Sequence, residues 1–202
     1  MFIPAWCAPE NVVWTSELET QLWNYLCAKY DAVIVDKADG HFMEMAAWFL
    51  DTAGILKKRE FLERYATTIG RKIYLPFKQG EISVCSSISL AVHEITHVVQ
   101  FNTYDVEFLY KYLFDPMARA LYEAEAMKPE LEIFVWANRC PVPNAFCDRL
   151  AGNLHNYNCN QAQIETVAII LKSAAAVVNQ GGLLGGVGTK AVHFLNGILQ
   201  HN

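Results

Sequence analysis

The chain has 202 residues, of which 53% are apolar and 18% charged, and its formal net charge is −5. This composition excludes extended disorder, and the length suits one domain with a sizeable core and room for an appended arm. The negative charge and the absence of a Lys/Arg-rich run predict that the protein does not bind nucleic acid.

The amino-terminal segment has neither a basic region nor a long apolar run, so it lacks the pattern of a secretory signal. We therefore expect synthesis in a cytoplasm. The cysteines form no Cys-x-x-Cys pair, which predicts free thiols instead of a zinc ribbon or a redox motif. Three of them are close in sequence, which leaves a second metal cluster as the less favoured alternative: Cys140, Cys147 and Cys159.

The first half of the chain alternates predicted helices with short strands. Ser16-Glu17-Leu18-Glu19 resembles a capping box and predicts a helix over residues 17–30. Ser86 or Ser87 is the predicted cap of a later helix. Helices are also predicted over residues 41–53 and 57–66, and strands over residues 32–35, 71–75 and 82–85.

The helix predicted over residues 87–100 contains a His-Glu-x-x-His motif. Residues four apart lie on one helix face, so His93 and His97 can offer two imidazoles to a single zinc ion. Glu94 lies on the adjacent flank, where a carboxylate can act as a general base. The surrounding residues are apolar nearly all round, which predicts a buried helix. The alternative is a pair of core histidines that are satisfied by hydrogen bonds alone.

Downstream of this helix, residues 102–105 are predicted as a loop and residues 106–114 as a helix. Asp115-Pro116 is a strong helix start, and we expect the helix that follows to break near Pro129. Glu123 and Glu125 on that helix are the candidates for a third ligand. Because they are two residues apart, only one of them can face the same ion.

These motifs resemble the gluzincin class of zinc metallopeptidases, in particular small metallopeptidases of bacteria and bacteriophages. The matching segments lie within residues 67–127 and are Ile73-Tyr74-Leu75-Pro76, His93 to His97, and Glu123-Ala124-Glu125-Ala126. The resemblance implies a zincin-like fold with His93, His97 and Glu123 as zinc ligands and Glu94 as general base. Glu125 stays open as the alternative ligand.

The family often places Asp or Asn four residues after the glutamate ligand, where it supports a ligating histidine. This chain has Met127 there, so the support must come from elsewhere. A donor to the oxyanion is expected from one of four residues: Tyr104, Tyr122, His155 or Tyr157. Ile73 and Tyr74 are predicted on an edge strand to which an extended peptide substrate could add; the alternative is an ordinary sheet edge.

In the last third, residues 150–159 are predicted as irregular or as a short helix, and residues 161–178 as a long helix that is amphipathic and not transmembrane. A glycine-rich linker over residues 180–188 precedes a terminal helix over residues 191–199. We therefore predict a zincin-like metallopeptidase domain over residues 1–160 and a helical arm with a Gly-rich hinge over residues 161–202. The expected fold class is α+β, predominantly helical with a small twisted sheet.

Two functions are predicted from these features. The first is a zinc-dependent metalloendopeptidase whose partner is a protein or peptide substrate. The second is a structural or assembly protein, for example a virion component, in which zinc is structural or activity has been lost. In that second case the arm would contact neighbouring subunits.

Overall fold

The computed structural model describes residues 3–10, 12–37, 59, 62–63, 66–78 and 80–201. These residues form a mostly helical α+β structure with a small mixed sheet, which confirms the predicted fold class at this level. The elements are α1 Ser16–Tyr30, β1 Val33–Asp36, β2 Thr67–Ile69, β3 Lys72–Leu75, α2 Val84–Tyr104, α3 Val106–Phe114, α4 Pro116–Asn138, α5 Asn144–Gly152, a 3-10 helix Asn153–Tyr157, α6 Gln161–Asn179 and α7 Gly186–His201.

Two predicted helices fall mostly on residues outside those ranges. The helix predicted over residues 41–53 lies entirely outside them. Of the helix predicted over residues 57–66, residues 59, 62, 63 and 66 are described; the first three are helical and Ala66 is not. Arg59 and Glu63 form an ion pair at 3.1 Å with the spacing of one helical turn.

The sheet has the strand order β1-β3-β2, with β1 parallel and β2 antiparallel to β3. The prediction that Ile73 and Tyr74 lie on an edge strand is therefore wrong. Their strand, β3, is the middle strand, its backbone is paired on both sides, and both side chains are buried. The outer strand that contacts α2 is β2. An extended peptide cannot add to β3 without displacing a neighbouring strand.

The helix that carries the His-Glu-x-x-His motif begins earlier than predicted. Residues 82–85 do not form a strand, because the Ser83 hydroxyl caps the amino end of α2 and accepts a hydrogen bond from the Ser86 backbone N–H at 3.2 Å. The cap is therefore Ser83 and not Ser86 or Ser87. At the other end, α2 continues through residues 102–104 and stops at Asp105, whose φ of 51° ends the helical geometry. The loop predicted over residues 102–105 is therefore wrong, because the helix continues for about one further turn.

α4 lies at the centre of the fold and packs against α2, α3, α6 and α7. Its start is as predicted, with the Asp115 carboxylate accepting from the N–H groups of Met117 and Ala118 at 2.9 and 3.1 Å. The predicted break near Pro129 is wrong, since α4 continues for 23 residues with Pro129 buried inside it. A proline within a helix costs about 3 kcal/mol, which the burial of large apolar side chains on several faces of α4 offsets.

The core forms two clusters, both of which include residues of α4. One joins α4 to α5 and α6, and the other joins α1, α2, α7 and the sheet to the far end of α4. The helices of the predicted arm thus pack on the helix that carries Glu123. The domain boundary at residue 160 stays a prediction.

The glycine-rich segment is held against α4 by Glu132. This fully buried carboxylate accepts hydrogen bonds from the Leu184 N–H at 2.9 Å and from the Thr189 hydroxyl at 2.7 Å. Gly188 lies so close to α4 that a Cβ there would be 2.9 Å from the Cα of Pro129. The terminal helix predicted over residues 191–199 is confirmed, and α7 starts within the predicted linker, at Gly186.

Of the helices in the described ranges, α6 alone is long and apolar enough to cross a membrane. This is weak evidence for a span, because core helices have the same properties. Val167, Leu171 and Val178 on α6 belong to the core, and Lys172 pairs with Asp148 of α5 at 2.6 Å. α6 therefore packs here as a core helix, and its outer face carries both Glu165 and the exposed Ile169.

Candidate metal centre

Two imidazoles of α2 meet at the surface of α4. His93 and His97 are one turn apart, and their Nε2 atoms are 3.2 Å from each other. Glu123 reaches the same point from α4, with Oε2 at 3.5 Å from Nε2 of His93 and Oε1 at 3.5 Å from Nε2 of His97. Each of the three residues has a ligand atom within 4.8 Å of those of the other two. We call His93, His97 and Glu123 the metal group.

These spacings fit a tetrahedral zinc ion. With Zn–N and Zn–O bonds of about 2.0–2.1 Å, two ligands of a tetrahedral ion are about 3.3 Å apart. The observed 3.2 and 3.5 Å are within the few tenths of an ångström that binding would adjust. In addition, Oε2 of Glu123 is buried and has no hydrogen-bond partner. A buried carboxylate oxygen without a partner is costly, and a cation would satisfy it.

The electrostatics of the metal group favour positive charge. Burial opposes the charged form of His93, but hydrogen bonds with Glu123 and Glu130 outweigh it and raise the pKa of His93 well above its usual value. Burial would raise the pKa of Glu123, but the nearby charges of His97 and His93 and the hydrogen bond from Tyr112 lower it to about 2. The two carboxylates therefore favour the protonated form of His93 when no metal is bound.

Of the two predicted third ligands, Glu123 joins the metal group and Glu125 does not. Glu123 is 1% exposed, whereas Glu125 is exposed on the adjacent face of α4. Glu125 accepts a hydrogen bond from the side chain of Gln100 at 3.2 Å. Their separation on the helix accounts for the difference.

Both histidines are oriented through their second ring nitrogen. Nδ1 of His93 lies 2.9 Å from Oε1 of Glu130. The other carboxylate oxygen of Glu130 accepts a hydrogen bond from the Ser89 hydroxyl at 2.9 Å. Nδ1 of His97 lies 2.8 Å from the side-chain oxygen of Gln100. An acceptor at Nδ1 places a proton there, which leaves Nε2 of each ring as the atom that would bind a metal. Glu130 and Gln100 thus support the two histidines from positions other than Met127.

Sequence analysis did not identify Glu130 or Gln100. Glu130 lies seven residues after Glu123, which is about two helical turns and the same face. Gln100 lies three residues after His97, again on the same side. Helical spacing could therefore have indicated both residues. The predicted break near Pro129, however, placed Glu130 outside the helix that carries Glu123.

Tyr112, on α3, is a further contact that the sequence did not reveal. Its buried hydroxyl donates a hydrogen bond to Oε1 of Glu123, and its ring centroid lies 6.1 Å from that of His97. Burial, followed by the nearby charge of Glu123, raises the pKa of Tyr112 well above its usual value. The hydroxyl thus stays a donor, which leaves Oε2 of Glu123 as the oxygen without a partner.

Arg119 fixes Tyr112 in this position. Its buried guanidinium donates to the backbone oxygens of Tyr112 at 2.7 Å and Leu113 at 3.0 Å, at the carboxyl end of α3. It also donates to the backbone oxygen of Tyr157 at 2.7 Å. One buried cation therefore ties α3 and the 3-10 helix to α4 beside the metal group.

Glu94 faces a different set of neighbours from the two histidines. It is 5% exposed, and its Oε2 accepts a hydrogen bond from the Thr68 hydroxyl of β2 at 2.7 Å. Lys37 is also buried nearby, and its pKa is lowered to about 8 by burial, an effect that the charge of Glu94 partly opposes. The strand β2 thus orients the Glu94 carboxylate beside the metal group.

Two members of the metal group, His93 and Glu123, line a cleft of about 650 Å³, a size typical of ligand sites. Glu94 lines the same cleft. Of the four predicted oxyanion donors, Tyr157 lines it and the other three do not. Tyr104 packs on Tyr122 with ring centroids 5.9 Å apart, and His155 is exposed.

The predicted substrate-binding residues Ile73 and Tyr74 do not line the cleft. The three clustered cysteines do not form a second group of metal ligands among the residues described, in which His93, His97 and Glu123 form the one such group.

No known protein family, curated protein or solved structure matches this chain.

Proposed function

We propose that this protein is a zinc-dependent metallopeptidase. One observation carries the proposal: two imidazole nitrogens and a buried carboxylate converge at 3.2–3.5 Å, and His93, Glu123 and the adjacent Glu94 line one open cleft. Structural zinc sites are usually closed by four protein ligands, whereas catalytic sites have three ligands and an open position. A set of two histidines and one glutamate at the wall of a cleft is of the second kind.

His93, His97 and Glu123 would hold the metal. Two neutral imidazoles and one carboxylate suit zinc, and a bound zinc ion would lower the pKa of water and polarise the substrate carbonyl. Glu130 and Gln100 keep the Nε2 atoms directed at the site, and Tyr112 holds the other oxygen of Glu123. Binding would release the proton from His93.

Glu94 is the proposed general base. Its carboxylate accepts a proton from the attacking water and then donates that proton to the leaving amine. The hydrogen bond from Thr68 fixes one carboxylate oxygen, so the other is available for the proton. Tyr157 is the proposed donor to the oxyanion, because it is the one of the four predicted candidates that lines the cleft.

The test compares wild type with Glu94→Gln for zinc content and for hydrolysis of a fluorogenic peptide library. We expect about one zinc per chain in both proteins and a loss of hydrolysis of about 10²-fold or more in the variant, because general base catalysis contributes that much. Glu165→Gln is the matched control, since it removes an exposed carboxylate of α6 and should change neither quantity.

A Glu94→Gln variant that cleaves a verified substrate at the wild-type rate would refute the role of Glu94. A wild-type protein that binds no added zinc would overturn the proposal as a whole. Zinc that stabilises the fold without hydrolysis of any peptide would favour the predicted structural or assembly role.

A further inference from the structure

The cleft extends from the metal group along the inner side of α5. Its apolar wall includes Phe134 of α4 and Phe146 of α5, whose ring centroids are 4.5 Å apart. Arg149, at the end of α5, also lines the cleft and lies over the Phe146 ring, with its guanidinium carbon 4.9 Å from the ring centroid. A guanidinium that stacks on an aromatic face directs its N–H donors sideways from the ring edge.

The carboxylates that line this cleft already have partners. Glu94 accepts from Thr68, Glu123 from Tyr112, and Glu130 from Ser89. Each also belongs to the proposed metal-binding and catalytic end of the cleft. None of them forms an ion pair with Arg149.

Arg149 differs from these groups because no carboxylate pairs with it. Among the described residues, Arg149 contacts the ring of Phe146 and takes part in no ion pair. The adjacent carboxylate, Asp148, is instead paired with Lys172 on α6 at 2.6 Å. Apart from the proposed ligand His93, Arg149 is the one basic residue among those that line the cleft. Its positive charge is therefore available to a bound molecule.

Side-chain amides lie in the same cleft. Asn153 and Asn156 of the 3-10 helix and Asn138 of α4 all line it. The Asn138 amide already donates to the Phe134 backbone oxygen at 2.8 Å. Together with Arg149, the two amides of the 3-10 helix offer N–H donors beside an apolar wall. Carboxylates bind to guanidinium groups through paired, charge-assisted hydrogen bonds.

We infer that Arg149 forms a specificity subsite that binds a carboxylate of the peptide substrate. The subsite rests on the proposed peptidase function, and it selects peptides with an acidic side chain or with their terminal carboxylate near the cleaved bond. The phenylalanine wall would pack against an apolar neighbour of that carboxylate. Asn153 and Asn156 would contribute further hydrogen bonds.

The test measures binding separately from catalysis. Zinc-loaded Glu94→Gln protein is titrated with fluorescein-labelled peptides that differ at one position, Glu or Gln, and that end in a free or an amidated carboxyl group. Adding Arg149→Gln should weaken binding of the carboxylate-bearing peptides about tenfold or more and leave the neutral amidated peptide unchanged. The arm that responds, side chain or terminus, identifies the source of the carboxylate.

Two further variants make the test specific. Lys172→Gln removes an equal charge from the neighbouring helix and should leave all peptide affinities unchanged. Arg149→Glu should reverse the preference, so that a Lys-containing peptide binds more tightly than its Glu counterpart. Circular dichroism melts of each variant report whether the fold is intact, as expected for substitutions of an exposed side chain.

Equal weakening of acidic and neutral peptides by Arg149→Gln, or unchanged affinity for both, would overturn the inference. Hydrolysis of neutral peptides by the wild type would in that case still support the proposed peptidase. Zinc-loaded protein that neither binds nor cleaves any peptide would instead refute the proposed function, and with it the subsite.

Discussion

Glu130 should control zinc affinity although it does not belong to the metal group. Its carboxylate lies 2.9 Å from Nδ1 of His93, and that histidine is nearly enclosed between Glu130 and Glu123. A hydrogen bond to a charged group contributes about 1.5–3 kcal/mol, which corresponds to a factor of about 10 to 150 in an equilibrium constant. Supporting residues of this kind typically change metal affinity by about 10- to 100-fold.

We therefore predict a graded series. Glu130→Gln retains a neutral acceptor for Nδ1 and should weaken zinc binding modestly, whereas Glu130→Ala removes the acceptor and should weaken it by about 10- to 100-fold. Competition with a chromophoric chelator at fixed pH measures both affinities. Glu165→Gln, which changes an exposed carboxylate on α6, is the control and should bind zinc like the wild type.

The reasoning would be refuted if Glu130→Ala bound zinc as tightly as the wild type. It would also be refuted if Glu165→Gln lost as much affinity as Glu130→Ala, because the effect would then reflect net charge and not the contact with His93. A melting curve of the zinc-free proteins separates these results from unfolding, since Glu130 lines the cleft and is half-buried.

Two further predictions concern stability. Lys37 has a pKa of about 8 in the folded protein, below its usual value of 10.5, so the unfolded chain binds more protons between these pH values and stability should rise with pH there. Urea unfolding at pH 7 and pH 10 measures the free energy of unfolding of the wild type and of Lys37→Met. Between these pH values the wild type should gain about 2 kcal/mol relative to the variant. A difference between the two proteins that does not change with pH would contradict the assigned pKa. Gly188→Ala should lower the free energy of unfolding by at least about 1–3 kcal/mol, because the new Cβ would collide with the Glu132 carboxylate and the Pro129 backbone. The control is Gly197→Ala on the same helix, where a Cβ meets nothing within 4 Å; it should raise the free energy of unfolding by about 0.5–1 kcal/mol. An equal loss of stability in both variants would show that the close contact at Gly188 is unimportant.

The metal group could be predicted from sequence because its spacing is local. The placement of His93 and His97 on one face follows from helical periodicity, and the predicted helix around them forms. The choice between Glu123 and Glu125 required the packing of α4 on α2, which sequence does not contain. The same packing keeps α4 continuous through Pro129, so the local rule for proline gave the wrong helix end.

The sheet was harder to predict for a related reason. The strand around Ile73 was recognised from its β-branched and aromatic residues, but strand order depends on pairing between distant segments. β1 pairs in parallel with β3, and this pairing places Ile73 in the middle of the sheet. The contacts of Tyr112 and Thr68 likewise depend on how whole elements pack together. No periodicity within one segment predicts such contacts.

The metal group and the residues that orient its side chains lie in one stretch of the chain. Thr68, which orients Glu94, lies outside that stretch. The stretch extends from Ser89 to Glu130 and belongs to three consecutive helices, α2, α3 and α4. Bringing them together closes a loop of only about 30 residues, which costs little chain entropy. During synthesis all three ligands are made before α6 and α7. We therefore expect zinc to be able to bind the nascent chain and to favour the α2–α4 pairing onto which the carboxyl-terminal helices later pack.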